Sequence, residues 1–144
     1  MASATLLQEQ NIPLNLAVEI AQDAIEACTK ESYSVSTAVV DREGVLRALL
    51  RADNAAIHTP DAARRKAYTA ASMRTVTSTI VKNVQNPGAA QLTAIDDFLV
   101  LAGGVPIKVG NETIGAIGVG GAPSGDFDEA CAQAALKQVA DKLN

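Results

Sequence analysis

Hydrophobic residues recur every three to four positions from Leu14 to Glu31. Leu14, Ala17, Val18, Ala21, Ala24, Ile25 and Cys28 make one stripe, with Glu19, Gln22, Asp23, Glu26 and Lys30 opposite. That period predicts an amphipathic first helix. Between Tyr33 and Asp41 the period falls to two, with Val35, Thr37 and Val39 alternating against Ser34, Ser36 and Ala38. Val45 to Arg51 forms the partner strand across Arg42-Glu43-Gly44, where glycine takes the left-handed position of a hairpin loop. Thr59-Pro60-Asp61 then reads as a helix start: Thr59 as N-cap, Pro60 at the first helical position, Asp61 at the positive end of the dipole. This helix is expected to run to about Arg74. Its Ala62, Ala63, Ala67, Ala70 and Ala71 give a smooth face that can pack closely on a sheet or on another subunit.

A second short helix, about Ser78 to Gln85, should stop at Asn86-Pro87-Gly88, and Gly88 to Thr93 is a loop. Ile95 to Leu101 is expected as a strand. Leu101 to Ala130 holds eight of the ten glycines and organises the chain. Val105 to Val109, a turn at Gly110-Asn111, and Thr113 to Val119 form a second hairpin. Glycines 115 and 118 would weaken the returning strand unless a backbone or a ligand must come close there. Asp126 to Leu143 closes the chain as a helix, with Phe127, Ala130, Cys131, Ala134, Ala135 and Val139 expected to face inward. Five strands and interspersed helices, with no internal repeat, make one α+β domain over residues 1–144.

Composition narrows the function. The chain is 48% hydrophobic with two Phe, two Tyr and no Trp, so its core must be aliphatic. A net charge of −4 argues against nucleic-acid partners, whose affinity comes chiefly from basic residues. No apolar run approaches the ~20 residues of a membrane helix. Met1 to Gln10 lacks a basic segment followed by an apolar core, so a cytoplasmic location is expected. Cys28 and Cys131 lie in two different helices without metal-ligand spacing and are read as two buried thiols.

The run Ala102-Gly103-Gly104-Val105-Pro106-Ile107, followed by Gly115-Ala116-Ile117-Gly118-Val119-Gly120-Gly121 and an acidic helix start, resembles the signature of the GlcG/HbpS family of haem-binding-type proteins. The likeness extends through Arg51, Asp53, Ala55, Ala63, Lys66-Ala67 and Thr69-Ala70, and takes in the PduO C-terminal domain. Ala102 stands where the family has a third glycine, Gly120 where it has serine, and Ala52 and Asn54 where it has methionine and glycine. The resemblance implies a profilin-like fold, a five-stranded antiparallel sheet with flanking helices. It also implies a symmetric homo-oligomer, dimer-based and extending to an octamer, and a haem cofactor.

Several residues are candidates for chemistry. His58 is the one histidine, hence the one imidazole for a haem iron or for base work; it is also readable as a solvated loop residue. Arg51 and Asp53 match the family's second motif, with a local Arg–carboxylate pair or a loop-capping Asp as the plainer reading. Lys66 matches the family's K-A-x-T-A run, with Thr69 one turn below. It is either a solvated helical lysine or a cation for a carboxylate or propionate, and Arg74, two turns on, could join it. Arg64 and Arg65 are read as solvated. The Gly103-Gly104 turn offers backbone N–H groups.

No dinucleotide or phosphate-loop pattern and no nucleophile–base set is present. Asp126, Asp128 and Glu129 are read as complementing the helix dipole, and Asp96-Asp97 as solubility charges on a strand. Ligand-binding residues are therefore expected among Arg51, Asp53, His58, Lys66, Thr69, Gly103 and Gly104. The first function expected is a small-ligand-binding protein for haem or another anionic molecule. A catabolic enzyme using Arg51, Lys66 and His58 on a small oxo-acid, and a structural accessory subunit, are the alternatives.

Overall fold

In the computed structural model, which describes residues 4–144, a four-stranded antiparallel sheet lies between two helical layers. Helix α1 spans Leu14–Lys30, strands β1 and β2 span Ser36–Asp41 and Leu46–Arg51, and helices α2 and α3 span Thr59–Met73 and Thr77–Asn83. Strands β3 and β4, Gly104–Val109 and Glu112–Gly120, precede helix α4, Gly125–Gln138. The strand order is β2-β1-β4-β3. Both hairpins fall where their turn residues place them. Gly44 and Gly110 take φ of 77° and 60°, and Asp41 Oδ1 accepts the N–H groups of Glu43 and Val45 to close the first turn.

The two faces of the sheet are covered differently. On one face α1 and α4 enclose Ile12, Leu16, Ile20, Val35, Val39, Ile107, Ile117, Val119 and Val139. On the other, α2 lays Ala67, Ala70 and Ala71 against Val40 and Ala116. Ala63, Ala67, Ala70 and Ala71 are therefore buried against its own sheet, while Ala62 is only half-buried. Gly118 makes this approach possible, since a Cβ there would sit 2.0 Å from the Ala63 carbonyl oxygen. Glycine in mid-strand is the cost of that close backbone contact.

Burial on both faces explains why all six residues of β1 are inaccessible, polar ones included. Thr37 donates its hydroxyl to the Ala21 carbonyl at 2.9 Å, and Ser36 shares a 2.8 Å hydroxyl bond with Thr59. Within α1 the buried stripe runs through Leu16, Ala17, Ile20, Ala21, Ala24 and Cys28, while Leu14 is 54% exposed and Val18 also reaches solvent. Helix α4 is likewise rotated from expectation. Asp128, Cys131, Ala132 and Ala135 face inward, whereas Phe127, Ala130 and Ala134 lie outside.

Further expectations need correction. First, Cys28 and Cys131 are joined in a disulfide, with Cα atoms 5.5 Å apart across a sequence separation of 103. They are not free thiols; packing of α1 on α4 brings them together, which spacing alone could not reveal. In the chain-entropy account a loop of that length contributes roughly 4–5 kcal/mol.

Second, the sheet has four strands, not five. Residues 95–101 cross α2 instead, held by Thr69 Oγ1 accepting the Leu99 N–H and by Arg65 donating to the Phe98 carbonyl. Asp97 has φ of 66°, which a strand residue does not adopt. The outer edge of β3 is also closed to a fifth strand: the Gly104 N–H bonds Thr77 Oγ1, and Pro106, at the next outward position, has no N–H. Third, Asp97 is not a solubility charge on a strand, and Arg64 is not simply solvated, because Arg64 bonds both Asp61 and Asp97 at the surface.

Candidate functional site

The first turns of α2 and α4 open onto one cavity of about 630 Å³. His58, Asp61, Ala62, Arg65 and Lys66 line it from α2, and Gly120 to Ala122, Ser124 to Asp126 and Asp128 from the β4–α4 junction. Val81, Leu99, Leu101 and Ala102 supply an apolar wall. His58 stands at the N-cap position that the sequence assigns to Thr59, with Pro60 following in the first turn. Thr59 is turned inward, fully buried, donating to the Ala56 carbonyl and bonding Ser36. This leaves the imidazole exposed at the cavity mouth.

Lys66 is the buried charge of the site. It is 4% exposed, with Nζ donating at 3.0 Å to both Asp128 Oδ2 and the Val119 carbonyl. Asp128, 3% exposed, accepts the Ala122 N–H on its other oxygen. Burial pushes the Asp128 carboxyl above the ordinary aspartate range, and the Lys66 charge and the Ala122 N–H oppose that rise. The pair ties α2 to the start of α4, at the floor of the cavity. Lys66 is thus neither solvated nor an unengaged cation. Asp128 is more than a dipole complement, and its place in the inward face of α4 with Cys131, Ala132 and Ala135 is the signal that could have found it.

Gly103 and Gly104 serve this arrangement. Gly103 has φ of 130°, and a Cβ there would lie 2.9 Å from Lys66 Nζ; at Gly104 it would lie 2.3 Å from the Lys66 carbonyl oxygen. Both glycines seat α2 and its lysine, and neither lines the cavity. Thr69 holds Leu99 in place, and with Arg65 it fixes the apolar wall from behind. Arg51, the last residue of β2, donates to the Ala55 carbonyl at 2.6 Å, and neither it nor Asp53 in the loop that follows lines the cavity. Arg74 ends α2 in the left-handed region at φ of 56°, at the far end of the helix from His58, and does not join Lys66. Of the residues singled out from sequence, the cavity therefore gathers His58 and Lys66. Asp61, Arg65, Leu99, Leu101 and Asp128 complete it. Among the described residues no cluster of three or more His, Cys, Asp or Glu side chains could hold a metal ion.

The fold and this site define a small α+β protein with a cavity at converging helix N-termini. Residues 12–137 match the family model "Haem degrading protein HbpS-like", and the chain belongs to that family. It is 37% identical to an uncharacterized 15.0 kDa protein of the dhaT-dhaS intergenic region of Citrobacter freundii, over 79% of this chain and 82% of that one. It is 40% identical to protein GlcG of Escherichia coli over 65% of this chain and 69% of GlcG. Among solved structures, a double mutant of Streptomyces reticuli HbpS superposes with a TM-score of 0.89 at 39% identity, covering 96% and 95% of the two chains. The haem complex of PduOC shares the fold, with a TM-score of 0.78 at 24% identity over 88% and 94%.

Proposed function

We propose that the chain is a ligand-binding protein whose cavity between α2 and α4 takes haem or a similar flat, anionic tetrapyrrole. The observation that carries this reading is the single imidazole at the mouth of a cavity of about 630 Å³ walled by Val81, Leu99 and Leu101. Three features of the lining suit the group, an exposed histidine that could coordinate the iron, aliphatic walls for a macrocycle and the Arg65 guanidinium for a carboxylate, while Asp61 and Asp126 are the charges a propionate would have to avoid. Haem bound there would supply an iron centre open to ligand exchange. His58 would hold the iron, Leu99 and Leu101 would exclude water from one side, and the Lys66–Asp128 pair would keep the floor rigid. The family's description and the haem complex of the structural neighbour PduOC support the same ligand class.

An enzyme built on Arg51, Lys66 and His58 has less support, because Arg51 is committed to the Ala55 carbonyl and Lys66 to Asp128. A homo-oligomer would have to use surfaces other than the alanine face of α2, such as exposed Leu46 and Leu49 on edge strand β2 and Ile57 beside the cavity. No helix among the described residues is long and apolar enough to cross a membrane. The Cys28–Cys131 disulfide favours an oxidising compartment over the cytoplasm. Haem titration of the purified protein tests the binding reading: a saturable Soret band is expected, displaced and weakened in His58→Ala. A band identical in the variant would remove His58 from the site.

A further inference from the structure

The disulfide and the candidate site share a helix. The buried residues of α4 are Asp128, Cys131, Ala132 and Ala135. Three of these side chains are small, so little apolar area holds the helix to the sheet and to α1. Its two specific fastenings lie on this inner face, one turn apart. Asp128 bonds Lys66 Nζ on α2 at 3.0 Å and the Ala122 N–H at 2.9 Å, and Cys131, three residues on, is bridged to Cys28 near the end of α1. Ser124, Gly125 and Asp126, just before these fastenings, line the cavity with Asp128 itself. The bridge therefore anchors to α1 the part of α4 that forms one wall of the site.

The two ends of the bridge are not equally sealed. Cys28 is fully buried, whereas Cys131 is 5% exposed and borders a surface cleft of about 240 Å³ with Ala27, Tyr33, Phe127 and Ala134. A thiolate therefore approaches from the Cys131 side. We propose that this disulfide sets the ligand affinity of the cavity between α2 and α4: oxidised, it holds the first turns of α4 in the binding geometry, and reduced, it releases them. The reductant is a dithiol. Its thiolate attacks Cys131 Sγ and breaks the S–S bond, and Cys28 leaves as a thiolate that takes a proton. The reductant's second thiolate then attacks its own sulfur in the mixed disulfide and expels Cys131, which is protonated in turn. Two electrons and two protons pass to the protein, and the reductant becomes a disulfide. With the bridge open, the Lys66–Asp128 bond is left to fix that end of α4, while Ala67, Ala70 and Ala71 keep α2 on the sheet. The inference rests on the ligand-binding reading of the cavity, and Asp128 acts in it as a positioning residue.

The test compares the oxidised protein with protein reduced by dithiothreitol and freed of it under argon. Without ligand, amide exchange at Ala122 and from Gly125 to Ala132 should quicken at least about tenfold on reduction, with α2 unchanged. Haem, titrated at the Soret band, should bind about tenfold more weakly to the reduced form, and reoxidation should restore the affinity. In the double variant Lys66→Met with Asp128→Leu the same reduction should change haem affinity less than about twofold, since the tie that passes the slack to the cavity floor is gone. Equal haem affinity in the two redox forms, unchanged exchange around Ala122, or an undiminished redox effect in the double variant would overturn this proposal alone. Loss of protection throughout α2 on reduction would overturn it too, because the bridge would then hold the whole fold and not this site. No haem binding in either redox form would overturn it together with the haem reading.

Discussion

The two faces of the sheet are held by opposite means. Against α1 and α4 the contact is made by volume: Ile20, Val39, Ile107, Ile117 and Val119 fill the space, and the Cys28–Cys131 disulfide fastens the two helices. Against α2 the contact is made by proximity, with alanines and Gly118 bringing helix and strand backbones together. The first arrangement tolerates no loss of side-chain bulk, and the second tolerates no gain. The difference also explains where the candidate site sits. A helix held this closely positions its first turn firmly, so His58 and Arg65 project from a fixed platform over a cavity that no large side chain fills.

The sharpest break in this contrast is Gly118→Ala. The added methyl would lie 2.0 Å from the Ala63 carbonyl oxygen, backbone that cannot swing aside, so α2 must shift and cooperative unfolding should be lost or shifted by more than about 3 kcal/mol. Denaturant melts read this directly. Reducing the disulfide, or Cys28→Ser with Cys131→Ser, should cost about 4 kcal/mol and loosen α1 and α4 while leaving the α2 face protected in hydrogen exchange. Lys66→Met should cost about 3 kcal/mol because Asp128 is left buried without its cation. The double variant Lys66→Met with Asp128→Leu should recover most of that loss in the same melts.

On the opposite face Ile117→Ala should cost about 3 kcal/mol through the cavity it leaves, whereas enlarging residues is the damaging change on the α2 face. The smallest expected effect lies outside both faces. Arg42 holds the Glu112 carboxyl below its ordinary value. That contribution is present above the unfolded-state pKa and is lost as pH falls through the depressed folded value. A slight acid-side drop in melting temperature that disappears in Glu112→Gln and in high salt is the expected signature.

Much of the backbone plan is legible in the sequence because turns and helix boundaries are local. Gly44 and Gly110-Asn111 fix both hairpins, and Pro60 fixes the start of α2. The stripe of α1 misleads at Leu14 and Val18, since apolar side chains near a helix start satisfy the period without touching the core; Leu16 and Ile20 are the residues that do. Residues 95–101 carry strand-like composition but are captured by Thr69 and Arg65 of α2, a tertiary contact with no local signature.

The site was legible only in part for the same reason. His58 and Lys66 stand out by residue type and motif. The partner that decides what Lys66 does, Asp128, is 62 positions away, and the cysteine pairing spans 103. Arg51, Gly103 and Gly104 belong to the motif yet act on the backbone, because a motif marks what a fold needs as readily as what a ligand needs.

The most direct test of the central claim is a haem titration of the wild-type protein beside His58→Ala and Leu101→Asp, read at the Soret band. The proposed site requires a saturable band in the wild type, a shifted and weaker one in His58→Ala, and loss of affinity in Leu101→Asp, whose charge would enter the apolar wall. A protein that stays spectroscopically silent with haem, or a band indifferent to both changes, would contradict a haem site between α2 and α4.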